Sequence, residues 1–178
     1  GIPHFHHSES PWHIFGSGEM GIQSQILQLL ERGEESFIHP SAIIGENVHI
    51  EGPSYIGKNA EIRHGALLRK GSWICQGALV GHATEVKNSI LLPGAKAPHF
   101  NYVGDSIVGF RANLGAGVKL SNVRNDRSEV TLTLGDGSRV KSGLKKIGAM
   151  VGDGSQIGCN TVTNPGAIIP PNTMIPPN

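Results

Sequence analysis

Residues 38–92 read IHPSAIIGENVHIEGPSYIGKNAEIRHGALLRKGSWICQGALVGHATEVKNSILL. Every sixth residue is aliphatic: Ile38, Ile44, Ile50, Ile56, Ile62, Leu68, Ile74, Val80, Val86 and Leu92. Four residues after each of the first eight stands a small or compact side chain: Ala42, Val48, Ser54, Ala60, Ala66, Ser72, Ala78 and Thr84. A period of six fits neither a helix, at about 3.6 residues per turn, nor plain strand alternation. It fits a parallel β-helix of hexapeptide repeats. Each hexad is then a short strand plus a corner, and three hexads close a triangular coil of 18 residues. The aliphatic residue points into a narrow prism, where only a compact neighbour fits beside it. Coils stack at about 4.8 Å, so residues 18 apart lie above one another on one face. The expected fold is all-β, a prism of about seven coils.

The hexads continue beyond this stretch with interruptions. Pro98-His99-Phe100-Asn101-Tyr102-Val103 breaks the period, which resumes at Val108, Leu114 and Leu120 and again from Val151 to Ile175. A break in a strict repeat marks a tolerated loop or a site. Glu129 to Leu134 alternates as a strand, Gly135-Asp136-Gly137 is a turn, and Ser138 to Lys141 returns. This reads as a β-hairpin arm near residues 126–146 within a β-helix of residues 38–178. Residues 1–37 read as an irregular tail plus a short amphipathic helix over Met20–Glu31, with Ile22, Ile26, Leu29 and Leu30 on one face. The helix is expected beside the first coil or capping it, because an open prism end exposes strand edges. His4, His6 and His7 are close enough for a metal reading, though they read more simply as a solvated tail.

The composition suits one domain: 178 residues, 25 of them Gly, and few aromatics. A net charge of +1 carries no nucleic-acid or membrane-surface footprint. Two cysteines, Cys75 and Cys159, imply no disulfide framework. With no signal peptide or long apolar span in the sequence, a cytoplasmic setting is expected.

Four runs are more specific than the hexads. They are Gly81 to Ser89 (GHATEVKNS), Pro98 to Asp105 (PHFNYVGD), Asn113 to Gly117 (NLGAG) and Ser142 to Ala149 (SGLKKIGA). Together with Pro11-Trp12 before a helix, they resemble the acetyltransferase half of bifunctional glucosamine-1-phosphate acetyltransferase / N-acetylglucosamine-1-phosphate uridyltransferase. They are also similar to the archaeal-type sugar-phosphate nucleotidyltransferases with a C-terminal β-helix. The resemblance implies a left-handed β-helix that trimerises with sites between subunits. It implies transfer of acetyl from acetyl-CoA, as co-substrate, to the amine of an amino-sugar 1-phosphate in sugar-nucleotide biosynthesis.

By the same resemblance, His99 matches the catalytic base, and Asn122 an Asn near the reacting centre. Arg69 and Lys87 match the phosphate-binding pair, 18 apart and so on one face. Tyr102 and Asn113 match sugar-contacting residues, with Glu85 in support, and Ala116 the position whose amide binds the acetyl thioester. Each also has a plainer reading: a packed His, a solvated basic stripe, turn residues. The chain departs from the family in four respects. No stretch of these 178 residues resembles the nucleotidyltransferase domain with its Gly-rich phosphate loop, and a separate nucleotidyltransferase chain is an expected partner on this reading. Ser128 stands where the bacterial family has a basic residue, for which Arg127 or Lys145 and Lys146 could substitute. The C-terminal segment is short. Pro176 and Pro177 fall where the family presents small residues and free amides.

Two other classes compete. His64 and His82 are 18 apart and His99 follows at 17, an arrangement open to a zinc enzyme of γ-carbonic-anhydrase type. The family motifs require no metal. Alternatively, the chain is a non-catalytic sugar-phosphate-binding or assembly module.

Overall fold

The structure, a computed structural model, describes residues 1–5 and 10–178. Of the His4, His6 and His7 trio, His6 and His7 lie outside the described residues. Among the described residues, short parallel strands form three sheets of seven, seven and six strands, one on each face of a prism. They make six complete coils and a seventh with two sides. The first face begins with Phe37–Ile38, the second with Ile43–Ile44 and the third with His49–Ile50.

The hexad rule holds inside the prism. Ile56, Ile62, Leu68, Ile74, Val80 and Val86 are fully buried, as are the compact partners Ser54, Ala60, Ser72, Ala78 and Thr84. Burying each large aliphatic side chain is worth about 1.5–3 kcal/mol.

The phase changes at a different place from the one expected. Leu91, not Leu92, continues the core: it pairs with Ile74 below and Val108 above, and it is fully buried. The run Pro98 to Val103 is no interruption. Lys96–His99 pairs with Leu79–His82, and Tyr102–Gly104 pairs with Glu85–Lys87. The two short sides instead run from Val86 to Leu91 and from Val103 to Val108. Their corners turn through Asn88 (φ 46°) and Asp105 (φ 47°), both left-handed. Each corner is one residue short, and serine hydroxyls fill the gap. Ser89 Oγ donates to the Lys87 carbonyl (2.7 Å) and accepts the Ser106 N–H (3.0 Å). Ser106 Oγ accepts the Ala149 N–H at 3.0 Å. Coils here hold 17 residues, as in the pairings Val80↔Ala97 and Val86↔Val103.

A second core lies outside the prism, on the first face. Strand register stacks Phe37, Tyr55, Trp73, Ile90, Ile107, Met150 and Ile168 in one outward column. The rings of Phe37 and Tyr55 stack at 4.9 Å, and those of Tyr55 and Trp73 at 4.7 Å. Trp12, Ile14 and Phe15 from the 3-10 turn Pro11–Phe15 cover this column, with Ile22 and Ile26 from the α-helix Ile22–Leu29. Val130, Leu132 and Ile147, from the arm and its return, complete the cover. The helix therefore lies beside the second and third coils, against Ser54–Ile56 and Ser72–Ile74, and caps nothing. Leu29 is exposed, because the helix ends there and the extended backbone at Leu30 turns that residue inward instead. The first coil is left open, with Ile38, Ile43 and Ile44 exposed.

The arm is a two-stranded antiparallel hairpin, Thr131–Thr133 with Arg139–Lys141. At its tip Asp136 Oδ1 accepts from both the N–H and the Oγ of Ser138, which holds that carboxyl below its usual range. The arm closes on itself where it leaves the prism: the Ile147 N–H donates to the Asn122 carbonyl at 3.0 Å.

Candidate active site

The candidate residues fall on two adjoining faces and the corner between them. His99 ends the strand Lys96–His99 at the corner between the second and third faces, and its side chain is exposed. The corner is fixed by its backbone. The His99 N–H donates to Asn101 Oδ1 (3.1 Å), and its carbonyl accepts the Gly117 N–H (3.1 Å). Buried Asn101 also donates through Nδ2 to the Gly115 carbonyl at 2.7 Å. That bond ties the His99 corner to the next coil, where Ala116 sits half-buried.

His99 is in register with His82, whose ring stacks on that of His64 at 5.4 Å. His82 Nδ1 lies 2.9 Å from the His64 carbonyl oxygen. It must donate there, which removes it as a ligand atom. Among the described residues, no group of three or more His, Cys, Asp or Glu is placed to hold a metal ion. The rings of His64 and His82 form a stacked pair, with His99 one coil further on in register.

On the third face Glu85 and Tyr102 are neighbours across the sheet. Arg69 Nη1 donates to Glu85 Oε1 at 2.9 Å, and its Nε lies 3.7 Å from Glu51 Oε2. The Glu85 bond, more than any other influence, raises the pKa of Arg69 above its usual range. Arg69 and Lys87 follow the paired residues Leu68 and Val86, so they stand one coil apart at one corner. Lys87 Nζ lies 3.8 Å from Oδ2 of Asp105, which is buried. Asn122, also buried, donates through Nδ2 to Asp105 Oδ2 at 2.5 Å. Burial pushes the Tyr102 phenol above its ordinary value, and the charges of Glu85 and Asp105 add to this. The hydrogen bond with Asn122 and the Arg69 charge pull the other way. Gly104 makes this grouping possible: a Cβ there would lie 2.6 Å from Tyr102 Oη and 2.8 Å from Asn122 Nδ2.

Arg69, Glu85, Lys87, Tyr102 and Asn122 are thus brought together on one face and its edge. Asn113 is not among them. It lies on the second face, in register with Lys96 and Gln156. There it lines a groove of about 500 Å³ with Gly115, Cys159, Met174, Pro176 and Pro177. Ser128 lies in an exposed turn, its Oγ bonded to Arg124 Nε and Asp126 Oδ1. Arg127, Lys145 and Lys146 are exposed around the root of the arm.

Sequence reasoning missed three residues here. Lys119 neighbours Tyr102 across the sheet, its Nζ resting 2.7 Å from the Gly117 carbonyl. Glu51 and Asp105 supply carboxylates to the two basic residues. For Asp105 a signal was present: Lys87-Asn88-Ser89-Ile90-Leu91 and Gly104-Asp105-Ser106-Ile107-Val108 repeat one another at a spacing of 17.

A prism of stacked hexads with polar chemistry at its corners defines the hexapeptide-repeat class. A hexapeptide transferase family protein from Anaplasma phagocytophilum superposes with a TM-score of 0.50 at 21% identity, over 78% of this chain and 71% of that one. Residues 50–145, more than half the chain, match the family model described as the GMPPB C-terminal domain, and the chain belongs to that family. It is 40% identical over 90 residues to a bifunctional sugar-1-phosphate nucleotidylyltransferase/acetyltransferase of Sulfurisphaera tokodaii, a match covering 51% of this chain and 22% of that protein. It is 39% identical over 99 residues to the bifunctional protein GlmU of Methanococcus vannielii, covering 56% of this chain and 23% of that one. The match therefore spans less than a quarter of either relative's length. These relatives belong to the group that the motifs resemble. No helix among the described residues is long and apolar enough to cross a membrane.

Proposed function

We propose that the chain transfers acetyl from acetyl-CoA to the amine of an amino-sugar 1-phosphate, in the biosynthesis of sugar nucleotides. One observation carries this reading: Arg69, Lys87, Tyr102 and Asn122 meet on the third face and its far edge, and the corner that begins this face presents His99. Arg69 and Lys87 hold the sugar phosphate, in exchange for part of their contact with Glu85 and Asp105. Tyr102, Asn113 and Glu85 contact the sugar. His99 takes a proton from the amine as it attacks the thioester carbonyl carbon. The Ala116 N–H steadies the oxyanion that forms. The C–N bond forms, the C–S bond breaks, and the thiolate of CoA leaves and is protonated.

The likeness of the chain to its relatives supports this reading, as does the groove that runs from Asn113 past Cys159 to Pro177 beside the His99 corner. The site is completed in a homotrimer. Asn113 lies on a different face from the Tyr102 cluster, so a second copy brings the two together. The first face is already covered by the chain's own helix and arm, which leaves the second and third faces for that contact.

A second reading, sugar-phosphate binding without transfer, is favoured by one feature: Pro176 and Pro177, which lack N–H donors, line the groove. The test is thiol release from acetyl-CoA with and without glucosamine-1-phosphate. Sugar-dependent release that falls by about 10²–10⁴ in His99→Ala, with folding intact, is expected. Release unchanged in that variant would remove His99 as the base. Sugar-phosphate binding without release would favour the second reading.

A further inference from the structure

We propose that Asp105 is a positioning residue for the sugar-phosphate side of this site, one that aims the Lys87 ammonium and the Asn122 carboxamide at the ligand. The assignment rests on the reading above for the identity of the ligand. It begins from an oddity in the fold. Three consecutive coils place Asn88, Asp105 and Asn122 at the same corner, 17 residues apart, and all three are buried. Asn88 Nδ2 donates to Asp105 Oδ1 at 2.7 Å, and Asn122 Nδ2 donates to Asp105 Oδ2 at 2.5 Å.

A column of three asparagines would satisfy the same corner. Carboxamides donate and accept, so each can pair with the next, and no charge need be buried. A carboxylate at 3% exposure is a costly choice for a merely structural rung. Its nearest cation, Lys87 Nζ at 3.8 Å, is too far for a tight ion pair.

The carboxylate does what an amide cannot. It only accepts, so it forces both asparagines to present Nδ2 and fixes which way each carboxamide faces. The Asn122 oxygen is thereby turned away from Asp105, while its nitrogen lies beside Tyr102 Oη over Gly104. The same carboxylate draws Lys87 toward this edge of the third face. Asp105 itself is clamped: its N–H donates to the Lys87 carbonyl (2.9 Å) and its carbonyl accepts the Gly148 N–H (2.7 Å). Beyond it, Asn88 Nδ2 also donates to the Phe15 carbonyl at 3.1 Å, so the N-terminal cover of the first face braces the same column.

The test compares Asp105→Asn and Asp105→Ser with Ser106→Ala. Ser106 is an equally buried neighbour whose hydroxyl bonds only backbone, at Gly104 and Ala149. The two Asp105 variants are expected to raise KM for glucosamine-1-phosphate about ten- to a hundredfold, as for loss of a charge-assisted hydrogen bond. KM for acetyl-CoA is expected to stay unchanged. Ser106→Ala is expected to lower Tm and leave both KM values alone. In a Lys87→Ala background, Asp105→Asn is expected to raise KM less than it does in the wild type. Equal effects on both substrates, an unchanged sugar-phosphate KM, or failure of both Asp105 variants to fold would each make Asp105 a structural rung and overturn the proposal. If the wild type binds glucosamine-1-phosphate without transferring acetyl, the transfer reading fails, and the same contrasts are read by calorimetry as dissociation constants. If it binds none, both readings fall.

Discussion

The first and third faces of the prism share one backbone and one set of inward residues, yet they have opposite uses. Outward on the first face stand Phe37, Tyr55, Trp73, Ile90, Ile107, Met150 and Ile168. Outward on the third stand His49, Leu67, Glu85, Tyr102, Lys119 and Val162. The first column is apolar and its middle is roofed by the N-terminal segment and the arm. The third is mixed, and Lys119 and Val162 on it are exposed. The hexad thus decides that a prism forms, while the outward residue of each strand decides whether a face becomes a second core or a chemical surface.

Both faces depend on one close approach of backbone to backbone. Gly81 stacks directly against the backbone of Pro98, and a Cβ there would overlap the Pro98 carbonyl oxygen. Gly81→Ala is expected to cost more than about 4 kcal/mol and to remove both faces together, seen as loss of the cooperative melt. Trp73→Ala strikes the covered face alone. It is expected to lower stability by about 3–5 kcal/mol in denaturant titration and to leave KM for the sugar phosphate where it was. Lys87→Ala strikes the open face, and the opposite weighting is expected: KM up about tenfold or more, with a loss of stability smaller than that of Trp73→Ala. If Trp73→Ala and Lys87→Ala gave the same pattern, the division of labour between the faces would fail.

The smallest effect concerns Cys75, buried in the second core, where desolvation pushes its thiol up to about 12. The folded pKa lies above the unfolded value of about 8.5. The stabilising contribution is therefore complete below that value and is lost as pH rises through the folded pKa. Between these limits the wild type is expected to lose stability with pH more steeply than Cys75→Ala, by at most about 1.4 kcal/mol per pH unit. At neutral pH a thiol reagent should modify exposed Cys159 and spare Cys75.

Much of this was legible from spacing. The inward series from Ile56 to Val86 is buried as its period of six demands, because a narrow prism admits no other arrangement. The phase after Val86 was not legible. Leu91 and Leu92 are equally apolar, and only the left-handed turn at Asn88 decides which faces in. The same short corner returns at Asp105, so the irregularity attributed to Pro98–Val103 belongs to two corners that each lack a residue. Arg69 below Lys87 followed from a separation of 18. That Glu51, Glu85 and Asp105 would attend them did not, since pairing depends on side-chain reach across coils. The placing of Asn113 apart from Tyr102 also follows from the three-sided wrap of the coil: residues eleven apart in sequence fall on neighbouring faces.

The arm leaves the prism after Asn122 and rejoins it at Ile147, and these two residues are hydrogen-bonded to each other. The coil above and the coil below therefore meet as though nothing stood between them. The exposed tip of such a segment, residues 135–139, is a cassette: it can be lengthened, shortened or exchanged without shifting the register of a single rung. The base of the arm is not free in this way, because Val130 and Leu132 are buried in the cover of the first face. One insertion thus has a fixed half that serves folding and a free half that can vary.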